Sequence, residues 1–312
     1  MNTKNKQQGL SLIEMMVAIV ISMLLMAGVV SIFVNNKQTY RVQEAVSRLQ
    51  ENGRFAMMFL TKDIRMADFW GCAGSTSNVT NQVISADNGT TQPPIDIGIG
   101  GVSGSDNGGL NGSDTIVLQG AYGSGLSIAS HNVNAASFSL NTVDHGFEDG
   151  DIVITSDCEK ADIWMITNAN SGSTVTIVGN TGNVQNNLKN QNKPSLEYPE
   201  GNMFKAFNYS YSIQTGASGE PALFRSENGV DSELVEGIED MQIKYGEDTD
   251  SDGTANVYRD AGSVTNMENV VSISVTIIVR TMEDNVALTT ADGDKRIRRR
   301  FTSTIAVRNR MS

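Results

Sequence analysis

Asp248, Asp250 and Asp252 stand on alternate residues ahead of Gly253, and this is the stretch of the chain whose residue types could hold a metal. Calcium is a hard cation that takes several oxygen ligands, and a loop offering three carboxylates with a glycine to turn on suits it. Asn256 would add a further oxygen. The twelfth position from Asp248 is Arg259, where an EF-hand needs a bidentate glutamate, so an EF-hand is excluded; Asp260 stands next to it. The same residues also read as an acidic hairpin turn, because Asp-Gly between strands is a common turn signal. On either reading the loop is structural, with calcium as an optional ligand and no cofactor required.

Catalytic constellations are not expected. His131 and His145 are the two histidines, and the sequence has no G-x-S-x-G elbow, no Gly-Lys phosphate loop and no H-E-x-x-H helix. A nucleophile with a matching base is therefore missing, which argues against an enzyme.

Glu14 is the other residue whose chemistry stands out. It follows Gly9-Leu10-Ser11-Leu12-Ile13 and precedes residues 15–34, which carry no charged side chain. A run of that length spans about 30 Å as a helix, enough to cross a bilayer. A carboxylate at its mouth is costly unless something pairs with it. Lys4 and Lys6 lie in the short polar leader, so the positive-inside rule keeps the leader cytoplasmic and exports the rest. No A-x-A site follows the apolar run, unlike an ordinary secretory signal; the alternative is cleavage between Gly9 and Leu10, which keeps the apolar helix on the mature chain.

These residues resemble the type III signal of type IV pilins and of type II secretion pseudopilins. The resemblance implies that a prepilin peptidase cuts after Gly9 and methylates the amino group of Leu10. It also implies that Glu14 pairs with the N-terminal amine of a neighbouring subunit during assembly. Opposite charges brought together in an apolar medium offset part of their desolvation, whereas either alone is penalised. Leu10 stands where phenylalanine is usual in major pilins, and the apolar helix holds no proline, so nothing in it invites a kink.

Past residue 34 the pattern turns amphipathic without a break. Val42, Val46, Leu49, Gly53, Ala56, Leu60, Ile64 and Ala67 recur at threes and fours, the mark of one buried stripe. A helix from Leu10 to about Ala67 would reach roughly 85 Å. Cys72 and Cys158 are the two cysteines. An exported chain matures where thiols oxidise, so a disulfide is expected, removing about 4 to 5 kcal/mol of unfolded-state freedom on the chain-entropy model; two buried free thiols are the alternative.

Strand signals follow. Short β-branched runs occur at 115–118, 152–155, 163–167 and 175–178, and stronger ones at 204–213, 222–226, 241–245, 270–282 and 297–307. Val271, Ile273, Val275, Ile277 and Val279 alternate with Ser272, Ser274, Thr276 and Ile278, as on a sheet with one face on a core. The expected organisation is a leader at 1–9, a membrane or fibre-core half-helix at 10–34, an amphipathic half-helix at 35–69, a loop-rich inserted β region at 70–192 and a C-terminal antiparallel sheet at 193–312. Arg296, Arg298 and Arg300 alternate on the last strand; they read as an ordinary solvated face, or as a surface for an acidic neighbour or lipid head groups.

Residues 234–245, Leu-Val-Glu-Gly-Ile-Glu-Asp-Met-Gln-Ile-Lys-Tyr, resemble a segment of PilW-type minor pilins and of the related J-type pseudopilins. The resemblance implies an α+β lollipop, a long N-terminal helix packed on an antiparallel sheet with a small inserted β subdomain. Its implied function is to help initiate a type IV pilus and to be incorporated at or near the tip. Implied partners are other minor pilins, the major pilin, the prepilin peptidase, the inner-membrane assembly platform and a large tip adhesin. The place implied is the bacterial inner membrane, with a periplasmic C-terminal head before assembly and a cell-surface pilus after it. Alternatives are a minor pseudopilin of type II secretion and a pilin-anchored adhesin or binding module. The net charge is −12, and removing the leader leaves 21 basic against 35 acidic side chains, a balance that disfavours direct nucleic-acid binding.

Overall fold

The computed structural model describes residues 11–73, 78–83, 97–98, 100–132, 135–169, 172–177, 183, 201–227, 229–287 and 293–311. Gly9 and Leu10, the expected cleavage and methylation positions, lie outside them, as do Pro93, Pro94 and nearly all of 180–192. The described residues form two compact units, 1–48 with 281–297, and 49–280 with 298–312. One helix, α1 (Leu12–Met66), contributes to both. With neither proline nor a glycine pair, nothing in its sequence interrupts the i→i−4 ladder.

In the first unit every side chain from 11 to 41 is exposed, including the whole apolar run. Among the described residues of 281–297, the amides of Val286 and Ala287 both donate to the Lys295 carbonyl, and Gln38 donates to the Asn285 carbonyl.

In the second unit the amphipathic stripe is realised. Leu49, Gly53, Ala56, Leu60 and Ile64 are buried, with Ala67 just past the helix end. Gly53 is there for close approach: a Cβ would overlap the ring of Phe301.

Eleven strands form one sheet: β1 (Val79–Asn81), β2 (Val102–Ser105), β3 (Thr115–Asn132), β4 (Ser137–Leu140), β5 (Ile152–Ser156), β6 (Ala161–Met165), β7 (Asn168–Ala169), β8 (Thr174–Thr176), β9 (Asn202–Thr215), β10 (Pro221–Glu227) and β11 (Val230–Glu236). Its backbone order is β1-β6-β5-β9-β3-β4-β8-β7, with β2 on β3 and the β10–β11 pair on β9. All pairs are antiparallel except β1 with β6. A second, fully antiparallel sheet has the order β13-β12-β14-β15, from β12 (Ile238–Glu247), β13 (Val257–Arg259), β14 (Val270–Arg280) and β15 (Arg298–Ala306). In β14, Ile273, Val275, Ile277 and Val279 are buried and the residues between them half-buried, as the alternation requires.

The architecture is therefore α+β. Strands from 115–176 share a sheet with β9, β10 and β11, so the expected boundary at 192 falls inside one sheet. β9 pairs with β3 on one edge, with β5 along its first residues and with β10 along its last, and this bridges sequence regions that look separate. β3 runs much farther than the apolar run at 115–118, because its Gly-Ser-Gly interruption at 123–125 is absorbed as a bulge.

A buried polar knot ties α1 to the larger sheet. Tyr211 donates to Asp63 at 2.5 Å, and Arg225 reaches the same carboxylate oxygen at 3.4 Å while lying 4.5 Å over the ring of Tyr209. Burial, and then the negative charge of Asp63, pushes the Tyr211 phenol well above its ordinary range. Burial and the nearby Glu227 push Tyr209 to about 12. A phenol whose pKa rises on folding contributes stability that is complete below its unfolded value of 10.0 and is lost as pH climbs through the folded value. The urea midpoint of the full-length protein in detergent should accordingly hold steady to about pH 10 and fall steeply toward pH 12. Tyr211→Phe should lower the neutral-pH stability by about 1–3 kcal/mol and shallow that alkaline fall; an unchanged alkaline slope would remove Tyr211 from the account.

Candidate assembly site

Residues 11 to 14 form a reciprocal cap. The Ser11 hydroxyl accepts from the Ile13 amide at 3.3 Å, and the Glu14 carboxylate accepts from the Ser11 amide at 3.0 Å. This is close to a capping box, with the Ser hydroxyl on the second helical amide rather than the third, and the Ser and the Glu three residues on satisfy donors that the helix leaves open. The signal for it, Ser-x-x-Glu before an apolar run, is present in the sequence. Beyond the cap, Ser22 returns its hydroxyl to the Ala18 carbonyl at 2.7 Å, so this polar side chain is satisfied within the helix. By length and composition α1 can cross a membrane.

The end of the helix is held as firmly as its start is capped. Asp68 adopts a left-handed backbone with φ 62°, and its carboxylate accepts from Trp70 at 2.7 Å and from Arg310 at 2.5 Å. Arg310 also donates to the carbonyls of Met267, Val270 (3.0 Å) and Gly100 (2.7 Å). Asn309 donates to the Ala67 carbonyl at 2.9 Å, satisfying an acceptor that the helix end leaves open. Just beyond, Cys72 and Cys158 form the expected disulfide, with an S–S distance of 1.98 Å.

The acidic loop closes on itself. One oxygen from each of Asp248, Asp250 and Asp252 lies within 4.8 Å of the others. Asp248 accepts from the amides of Asp250 (3.2 Å), Ser251 (2.7 Å) and Gly253 (2.8 Å). Desolvation would raise its pKa, but the amides of Gly253, Ser251 and Asp250 outweigh that and hold it below the ordinary carboxylate value. The Asn256 side-chain oxygen, expected as a ligand, accepts from both the amide (2.7 Å) and the hydroxyl (3.1 Å) of Thr249. Asp250 and Asp252 are the exposed carboxylates of the group.

The arginines of the last strand do not share one environment. Arg298 is half-buried and holds Glu239 with two nitrogens, at 2.6 and 2.9 Å, and Arg280 bridges Glu239 (3.1 Å) and Glu220. Desolvation would raise the pKa of Glu239; Arg298 and Arg280 overcome it and keep the carboxyl below its usual range. Arg299 and Arg300 are exposed. Strand alternation alone could not separate these cases, since Glu239 comes from β12.

An apolar helix opening on a capped carboxylate and leading into a β-rich body defines the class of helix-anchored α+β proteins. A family model described as Type IV Pilus-assembly protein W matches residues 210–309, and one described as Prokaryotic N-terminal methylation motif matches residues 4–30. Together they support a type IV pilus minor pilin that begins with a prepilin signal. No curated protein and no solved structure matches the chain.

The disulfide closes 86 residues and pins the segment after α1 to the end of β5. Replacing both cysteines by serine should cost about 2–5 kcal/mol, read from urea melts of full-length protein in detergent; equal midpoints would show that packing alone holds this corner.

Proposed function

We propose that this chain is a minor pilin that helps initiate type IV pilus assembly and is incorporated at or near the tip, as a lollipop of long helix and β-rich head. The observation that carries this reading is the carboxylate of Glu14 at the start of a helix whose next twenty residues are uncharged. A bare acid would oppose membrane residence, and a capped one can wait there for a cationic partner. Before assembly the subunit sits in the inner membrane with its head in the periplasm; afterwards the same apolar surface is buried among neighbouring helices of the pilus. Its partners in that reading are other minor pilins, the major pilin, the prepilin peptidase and the assembly platform. The work is packing, without catalysis. The family match over residues 210–309 favours a pilus over a secretion system.

Mass spectrometry of the protein from its native host should find a mature N-terminus at Leu10, N-methylated. Glu14→Gln separates the two roles of the carboxylate, because glutamine keeps a capping box while losing the charge. The variant should accumulate in the membrane at wild-type levels yet fail to enter pili. Pili carrying it at normal abundance would sink the pairing proposal.

We also propose that the 248–256 loop requires no metal and offers calcium only an optional site at Asp250 and Asp252. The support is that Asp248 spends both its oxygens, and Asn256 its single amide oxygen, on the loop itself, whereas Asp250 and Asp252 are exposed and give one oxygen each, to the Asn256 side chain and the Thr254 amide. A chelator should leave the thermal midpoint of the full-length protein unchanged; a drop of several degrees would make calcium a structural component.

A further inference from the structure

Apart from the assembly surfaces, the β-rich unit contains an open groove of about 210 Å³ whose construction suits a ligand. Its walls come from three sequence-distant places. The first is the bulge in β3, where Gly123, Ser124 and Gly125 stand between the pairs Tyr122↔Lys205 and Leu126↔Met203, so that three residues face the single Phe204. The second is the turn His145–Gly146–Phe147, whose imidazole Nδ1 accepts from the Phe147 amide at 3.0 Å. The third is β9 itself, through Phe204 and Lys205. Gly123, Gly125 and Gly146 have φ of 93°, 70° and 66°, a conformation open to glycine, and a Cβ at Gly123 or Gly146 would meet nothing within 4 Å. Backbone is thereby brought to the rim without side chains to fill the space, as at bulges that re-aim groups toward a site.

We propose that this groove binds one neutral sugar ring. Its size admits a single ring and falls below the space a drug-sized ligand takes. Tyr122 is 38 % exposed, and its ring offers the apolar face against which the C–H face of a pyranose packs, above a floor formed by the largely buried Phe147 and Phe204. Hydroxyl recognition needs donors and acceptors together. Lys205 lines the groove as a donor, its charge met by Asp151 at 2.9 Å just outside the lining, and Ser124 at the exposed bulge adds a hydroxyl that both donates and accepts. That cancellation decides the ligand class. A phosphate or carboxylate would have to take Lys205 from Asp151, whereas a neutral polyol inserts beside the pair. The inference is independent of the pilus reading, since it uses no residue of α1.

Saturation-transfer NMR on the full-length protein, in a detergent without sugar head groups, tests it with the methyl glycosides of glucose, galactose, mannose and N-acetylglucosamine as probes. At least one should receive saturation through its ring protons, with a dissociation constant of about 0.1–10 mM. Tyr122→Ala should weaken that signal at least about fivefold, the loss of one ring face. Ser124→Trp, a substitution at an exposed position that fills the groove without touching the core, should abolish it. Silence from all four glycosides at about 10 mM overturns the proposal, as does a signal equal in wild type and Ser124→Trp. Displacement of a bound glycoside by inorganic phosphate would instead make the groove an anion site and also overturn it.

Discussion

A carboxylate at the mouth of an apolar helix must always have its oxygens occupied, and much of this protein can be understood as meeting that demand. Glu14 meets it locally, by taking the Ser11 amide while Ser11 takes that of Ile13. The amides at a helix start carry partial positive charge, so the acid is placed where the helix itself favours it. An unbroken run of uncharged residues follows, and a second charge there would be costly in lipid. On the function proposed above, assembly is an exchange of partners for Glu14, from its own backbone to a cation on a neighbour.

At its other end the helix is fastened by polar ties among close-packed small residues. Gly53 lets the helix come against Phe301, and Ala56 and Ala67 keep the stripe narrow. Apolar contact of this kind resists separation but permits sliding. Asp63 with Tyr211 and Arg225, and Asp68 with Trp70 and Arg310, oppose sliding, because a buried charge that loses its partner costs several kcal/mol. Register between helix and sheets is thus specified twice, and both knots use an acid from the helix end of the pair.

The helix and the second sheet are legible in the sequence because their periods are strong: threes and fours from Val42 to Ala67, and twos along β14. The Asp63 and Asp68 knots are not legible. Their partners stand 148 and 242 residues away, and no local pattern marks Tyr211 or Arg310. Nor is β11 announced, since its alternation is hidden by exposed acids on an edge strand. In β3 the apolar run at 115–118 gives no sign that the strand carries on past Gly123-Ser124-Gly125, which it does through a bulge. The loop at 248–256 is legible as a turn, while the way it spends its oxygens depends on backbone geometry. For Glu14 the cost of the charge is plain from sequence, and its local remedy was equally available in the spacing to Ser11.

Those long separations also order events in time. The apolar run is complete within the first few dozen residues, whereas its amphipathic continuation cannot dock until strands more than a hundred residues later have been made. Contacts of such separation close slowly, after the loop between them has surrendered its freedom. A run long and apolar enough to cross a membrane is thus made before the strands on which its continuation docks.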